Sequence, residues 1–447
     1  MNTTITRASR RHFPYLPLMA ALILAVILGG CSKSNEQVTL DLLATVPADA
    51  ETVAVCNLNT LVRQTGGKVK DGHLEQADNL KKAFAQMAAT LGDSTASTRR
   101  LDVLFSPDSG VECESMVIFL SKGVAYASGM LYDTEKFMQA VRTACGGEWS
   151  EDGKMKVNDD YVILGDRFWT CPPSGREMVT KFTNLSEVES FRSNAYAPEI
   201  SKATDALVTW SSIDGLMRAT GMSFSQQTTA RMALGMFFNS PKSLAGAMNV
   251  TDDNTLAASL RVLDADLKPA KCELAVSKID TKVLEDFGGN ANFVFAAAVS
   301  QKLIRQLMDL AGSFGGQMPQ AYASALEPID GTVAFAANME ASGLNNFTGL
   351  GFKGAIQTSG KNNARLLQVL EPLVGKVTIE GDTFLFGNEG YGSGVAPMSD
   401  VAKDMTGAWL GVAGAWSFND RPPHYYFAAT LVPAENSLML KLKMDLK

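Results

Sequence analysis

Histidine is nearly absent from this chain of 447 residues, which carries three in all. Beyond the N-terminal segment only His73 and His424 remain, far apart in sequence. A histidine-based triad or a multi-histidine zinc site needs several such side chains converging on one point, and this pool is too small for that. His73, after Asp71-Gly72, and His424, between Pro423 and Tyr425, read as solvated or strand-end residues. Cysteine is also sparse. Of six cysteines, Cys31 stands apart, and Cys56, Cys113, Cys145, Cys171 and Cys272 are an odd number in a long chain, so they are no disulfide framework. Cys145 and Cys171 bracket a β-rich stretch and are a candidate pair, while Cys56 and Cys272 lie in apolar runs and read as small buried hydrophobes.

Other signatures of chemistry are missing too. There is no Gly-x-x-x-x-Gly-Lys-Ser/Thr phosphate cradle and no Ser-x-x-Lys pair. Gly390-Tyr391-Gly392-Ser393-Gly394 has the wrong spacing for a nucleophile elbow and reads as a flexible loop. Gly349-Leu350-Gly351-Phe352-Lys353-Gly354 fits the dinucleotide fingerprint on paper, but it lies inside a strand-like run and opens no helix. Asp252-Asp253-Asn254 and Asn158-Asp159-Asp160 are acidic turns without a twelve-residue calcium loop. Neither a cofactor nor a metal is expected. With 47 acids, two carboxylates could still meet in a cleft, so a carboxylate-dependent hydrolase stays open as a reading.

Basic charge is in deficit as well. Lys and Arg number 40 against 47 Asp and Glu, a net charge of −7. Residues 1–30 contain three of the arginines and no acid, so removing them leaves 37 basic against 47 acidic residues, a net charge of −10. An acidic body is a poor partner for nucleic acid, whose affinity comes largely from cations meeting phosphates. It gains nothing from anionic lipid either.

What is present begins at the N-terminus. Arg7, Arg10 and Arg11 precede the apolar run Leu16–Leu28, followed by Gly29-Gly30-Cys31. A basic opening, a short apolar run and small residues at a cleavage point form a secretory signal. The run is too short to span a membrane comfortably, which takes about 20 apolar residues. Leu28-Gly29-Gly30-Cys31 resembles a bacterial lipobox. That resemblance implies a diacylglyceryl group on the Cys31 thiol, cleavage before Cys31 and acylation of the new amino group. At about 0.8 kcal/mol per buried CH₂, two or three chains hold a protein stably where one does not. Ser32, in place of Asp, fits an outer-membrane destination, and residues 31–38 read as a polar tether.

Behind the tether a pattern recurs. Asp49–Val55 precedes Leu61-Val62-Arg63, Asp205–Trp210 precedes Leu216-Met217-Arg218, and more weakly Asn290–Phe295 precedes Leu303-Ile304-Arg305. Each predicts a strand and then a helix with an aliphatic pair before Arg, placing the cation near a helix C-terminus. Helical and paired strand-like segments follow each copy: Leu74–Leu91 then Met116–Leu120 and Val124–Leu131, Gln227–Phe238 then Leu244–Val250 and Thr255–Leu263, Ala321–Leu326 then Thr332–Asn338 and Gly349–Ile356. The spacing predicts an α+β fold of repeated β-α-α-β-β units, with mixed or antiparallel sheets covered by helices. A domain boundary is expected near residue 200, dividing 39–199 from 200–447, with a softer one near 288. The methionine-rich run Met232–Phe238 reads as core filler.

The opening Val46-Pro47-Ala48-Asp49-Ala50 after a lipobox is similar to a group of Bacteroidetes lipoproteins that begin with a Pro-x-Asp-Ala motif and are grouped as a domain of unknown function. The resemblance implies an envelope location and an α+β body, and it supplies no catalytic residues. The expected protein is therefore a membrane-anchored envelope lipoprotein, non-enzymatic, binding an envelope protein, lipid or glycan. A carrier of an apolar ligand is the second reading.

Overall fold

This computed structural model describes residues 35–70, 73–75, 108–151, 153–157, 160–164, 168–171, 185–251, 255–313, 326–338, 351–361, 363–417, 424–434 and 437–445. Cys31 and the lipobox residues Leu28, Gly29 and Gly30 lie outside them, as does most of the helix expected at Ala321–Leu326. The fold mixes helices with large antiparallel sheets and divides into two compact units, meeting in sequence at Thr209/Trp210.

The first unit opens with α1 (Asn35–Leu43), whose Val38, Leu42 and Leu43 are fully buried. The tether expected over residues 31–38 therefore ends earlier: Val38 and Leu42 lie four apart, on one helical face that finds a core. Strand β1 (Thr52–Asn57) leads into α2 (Leu58–Gln64). A short hairpin, β2 (Lys68–Lys70) and β3 (His73–Glu75), takes the start of the segment expected as a helix from Leu74. Then come β4 (Val111–Ser121), β5 (Val124–Leu131) and α3 (Thr134–Cys145), followed by β6 (Lys154–Val157), β7 (Asp160–Leu164) and β8 (Phe168–Cys171). The strands pair antiparallel in the order β1-β4-β5-β8-β7-β6. Lys122 and Gly123, both at positive φ, turn β4 into β5. Every residue of β5 is buried, which requires cover on both faces, and α1 packs against β4 and β5.

Two positions hold this unit together. The Asn57 side chain donates to the carbonyls of Asp205 (2.6 Å) and Ala203 (3.3 Å), and its Oδ1 accepts from the Ser115 hydroxyl (3.1 Å). Buried amides need such partners, and these tie β1 to the segment after the short helix α4 (Ala197–Lys202). Gly110 has φ +78°, and a methyl there would overlap the Asp133 carbonyl oxygen and sit 2.7 Å from the Phe137 amide nitrogen. Asp133 caps α3 by accepting from the Lys136 amide, so Gly110→Ala strains both the turn and the cap. We expect Gly110→Ala to cost about 3 kcal/mol or more, read as a lower denaturation midpoint at unchanged slope.

Strand β9 (Leu207–Ser212) crosses the division and enters the second unit through α5 (Ile213–Ala219) and α6 (Phe224–Phe237). The remaining elements are β10 (Ser243–Val250), β11 (Thr255–Leu263), α7 (Thr281–Glu285), β12 (Asn290–Ala291), β13 (Phe293–Val299), α8 (Gln301–Ser313), β14 (Ile329–Asn338), β15 (Gly351–Thr358), α9 (Asn363–Val374), β16 (Val377–Glu380), β17 (Thr383–Gly387), β18 (Ala396–Pro397), α10 (Met398–Asp404), β19 (Leu410–Ser417), β20 (His424–Ala434) and β21 (Ser437–Asp445). Ten of these strands form one antiparallel sheet, in the order β10-β11-β21-β20-β19-β13-β14-β15-β17-β16.

One face of that sheet is lined by small residues. Ala296, Ala298, Ala334, Ala336, Ala355, Ala413, Ala415 and Ala428 are buried there with α7 and α10, whose Leu284, Met398, Val401 and Ala402 are fully buried. Small side chains let helices approach a sheet closely, and Asp280, the cap of α7, fixes the approach. Its amide donates to Thr332 Oγ1 (2.7 Å), and its carboxylate accepts from Gln357 Nε2 (3.0 Å).

Candidate functional site

Directly opposed residues in an antiparallel sheet point to the same side. The registers therefore assemble the second face of the ten-stranded sheet residue by residue. Leu256, Ala258 and Leu260 of β11 face Met444, Leu442 and Leu440 of β21. These face Phe427, Ala429 and Leu431 of β20, which face Gly414, Val412 and Leu410 of β19. Beyond them lie Phe293, Phe295 and Ala297 of β13, then Ala337, Phe335 and Val333 of β14, then Phe352, Gly354 and Ile356 of β15. No charged or hydrogen-bonding side chain interrupts this set.

The two faces thus differ in size, and the face of small residues also carries Arg261, Lys353, Lys441 and Lys443. The small residues lie under helices, and the bulky ones lie on the other side. The rings are packed onto the sheet: a methyl at Gly414 would sit 2.6 Å from Phe427, one at Gly354 would overlap Phe386, and Phe335 stacks on Phe352 with centroids 5.9 Å apart. Glycine in a strand costs stability but lets an aromatic ring lie flat against the backbone. At the β15–β17 end, Ile356 and Phe384 are covered by Ile304 of α8 and by Leu366 and Leu370 of α9. Toward β21 the cover thins: Phe295, Phe335, Val412, Phe427 and Leu440 are half-buried, Leu442 is 42% exposed and Met444 is 37% exposed.

Polar features elsewhere in the second unit are tied into the fold. A depression of about 270 Å³ is lined by Ile213, Asp214, Arg231, Leu234, Ser240, Pro241 and Lys242. Its one carboxylate, Asp214, already accepts from Arg231 Nε at 2.8 Å. Lys443 donates to both oxygens of Asp404 (3.0 Å each) and lies over the Tyr426 ring, fastening β21 to α10. Burial, with Asp404 adding to it, raises the Tyr426 phenol well above its ordinary range. Burial likewise pushes the Tyr391 phenol up to about 12 and the Cys56 thiol up to about 12, which leaves both neutral at physiological pH.

The residues singled out from sequence fall as follows. His73 lies in β3 and His424 begins β20. Gly351 and Gly354 sit in β15, within a strand. The loop Gly390–Gly394, expected to be flexible, is pinned by close backbone approaches: Gly394 lies against Ala291, Gly390 against Gly351, and Asn338 Nδ2 donates to the Gly390 carbonyl (2.9 Å) and Ser393 Oγ (3.0 Å). The expected cation at a helix C-terminus holds for Arg63 and Arg218 but not for Arg305, because α8 runs on to Ser313. All three arginines are exposed. Of the methionine-rich run, Leu234 and Phe237 pack on the core and Phe238 is buried, whereas Met232 is exposed. Residues 252–254 and 158–159 lie outside the described residues, as do the side chains of Cys145 and Cys171. Among the described residues, no three His, Cys, Asp or Glu side chains gather as metal ligands, and no helix is long and apolar enough to cross a membrane.

The comparisons with known proteins add little to this geometry. No family model matches the chain, and no curated protein matches it. One similar solved structure is that of TP0453 in crystal form I, at 8% identity, covering 81% of this chain and 95% of that one with a TM-score of 0.20. A score that low identifies no shared fold.

The bulky sheet face is the feature that reading the sequence missed. Its signal was present in Phe293-Val294-Phe295-Ala296 and Val333-Ala334-Phe335-Ala336, where large and small apolar residues alternate. Alternation in size carries the same period of two as alternation in polarity.

Proposed function

We propose that this chain is an exported, lipid-anchored envelope protein of the outer membrane, non-enzymatic, that carries an apolar ligand on the bulky face of its ten-stranded sheet. The anchor is Cys31, following Leu28-Gly29-Gly30, and the Pro47–Ala50 opening resembles that of envelope lipoproteins with the same motif. One observation carries the choice of a ligand carrier: an unbroken apolar face needs cover, yet Leu442 and Met444 stand exposed on it. Seven strands at about 4.8 Å spacing make this face roughly 29 Å across, wide enough for a hydrocarbon chain to lie flat.

The body is also read as repeated β-α-α-β-β units. Three times a strand is followed at once by an arginine-bearing helix: β1 then α2, β9 then α5, β13 then α8. Each copy is followed by an antiparallel pair: β4 with β5, β10 with β11, β14 with β15. The pairs β10–β11 and β14–β15 lie in the ten-stranded sheet, and β4–β5 lies in the sheet of the first unit.

Titration with an apolar fluorescent probe such as N-phenylnaphthylamine tests the reading. We expect saturable enhancement that a long-chain fatty acid reverses. Enhancement that never saturates, or none at all, counts against a defined carrier face.

A further inference from the structure

We propose that the turn and helix from Met222 to Met232 dock on an anionic phospholipid bilayer. Phe224 is 79% exposed, Met232 48% and Met222 40%, the first two lying with Thr228 at every fourth residue on one face of α6. The opposite stripe, with Leu234 and Phe237, packs on the core.

This exposure belongs to a fixed structure. Ser223 and Gln226 form a capping box, with the Ser223 amide donating to Gln226 Oε1 (2.8 Å), and Gln227 Nε2 donates to the Met222 carbonyl (2.9 Å). Three side chains thus hold a phenylalanine out in water, an arrangement that marks an interaction surface.

Charge selects the occupant. In a chain with 47 acids, none stands between Asp214 and Asp252, while Arg218, Arg231 and Lys242 lie in that stretch. Arg231 is neutralised by Asp214, and Arg218 and Lys242 are exposed. An anionic bilayer repels most of this acidic body, so approach costs least where acids are absent and cations flank apolar side chains. A second copy fits less well. A twofold contact sets each patch against itself, bringing Arg218 and Lys242 toward their own images.

The inference rests on the envelope reading for the presence of a bilayer, and its test is independent of the anchor. The whole processed polypeptide from Ser32 onward, without acyl groups, is mixed with vesicles of phosphatidylglycerol in phosphatidylcholine, using Phe224→Trp as reporter. We expect the emission that this indole adds over the parent to shift to the blue, to be quenched by brominated acyl chains, and to report weaker binding at high salt. Phe224→Ser with Met232→Ser should lower the partition coefficient about tenfold or more while leaving the thermal midpoint unchanged, because both side chains are exposed. A reporter signal indifferent to vesicles, or equal binding by the double variant, overturns the proposal. So does a blue shift that appears without vesicles as protein concentration rises, because self-association then covers the patch. A misread lipobox would leave all these results unchanged, whereas failed docking would leave the acylated protein still anchored.

Discussion

A Cys31→Ala chain is expected to retain its first 30 residues and to lose its acyl groups entirely. The thiol is the acceptor of the diacylglyceryl group that the lipobox resemblance implies, and alanine offers no nucleophile in its place. Cleavage in such proteins follows lipidation, so the apolar run Leu16–Leu28 stays attached. The variant is then left with that uncleaved run, and no acyl chain, as its hold on a membrane. Each buried CH₂ contributes about 0.8 kcal/mol, so two or three acyl chains outweigh any contact the rest of the chain makes with the bilayer. The body itself carries a net charge of −10, which anionic lipid does not attract. Intact mass and metabolic labelling with palmitate check the outcome. Unchanged processing and acylation in the variant would remove Cys31 from its assigned role.

Leu442→Glu combined with Met444→Glu is expected to lower affinity for an apolar ligand by about tenfold to a hundredfold with little loss of stability. Both residues are more than one-third exposed on β21, so charge placed there stays hydrated in the free protein. A hydrocarbon laid across the sheet removes those positions from water. The variant then loses about 1–2 kcal/mol of apolar contact and leaves two carboxylates to be desolvated. Val412→Glu, half-buried in mid-face, would confound ligand loss with unfolding, which is why the exposed positions of β21 are the better place to test. Probe titration of both proteins, beside their urea midpoints, separates the two effects. Equal probe affinity in variant and parent would move the binding surface elsewhere.

Much of the element order is legible from the sequence. Leu244–Val250 and Thr255–Leu263 come within a residue of β10 and β11, and Asp133 before an amphipathic stretch marks a helix start that the structure realises as a capped α3. These segments carry their period and their punctuation locally. Short elements do not. Helices α7 and α10, at five and seven residues, are too brief for a period of 3.6 to emerge, and their formation depends on the alanine face they cover. The α1 helix was hidden by the polar residues Asn35-Glu36-Gln37, which read as tether until Val38, Leu42 and Leu43 find a core. Register was invisible for a deeper reason. Which strands lie side by side is set by long-range pairing, as with β11 beside β21, and only that pairing gathers Leu260, Leu440, Leu431, Val412 and Phe295 onto one surface. The candidate site is a property of seven strands together, so no local motif announces it.

The shorter tether changes the picture of the anchor as well. With α1 beginning at Asn35, three residues separate it from Cys31, which spans at most about 14 Å when extended. With the proposed anchor on Cys31, the first unit would therefore be held close to the membrane surface.

Native mass spectrometry of the protein purified in mild detergent from its own envelope tests the central claim most directly. The account predicts the acylated polypeptide plus one further lipid-sized mass, removed by organic extraction and absent from the Leu442→Glu/Met444→Glu variant. A spectrum showing only the acylated polypeptide, or a stoichiometric protein partner in place of the lipid, would contradict it.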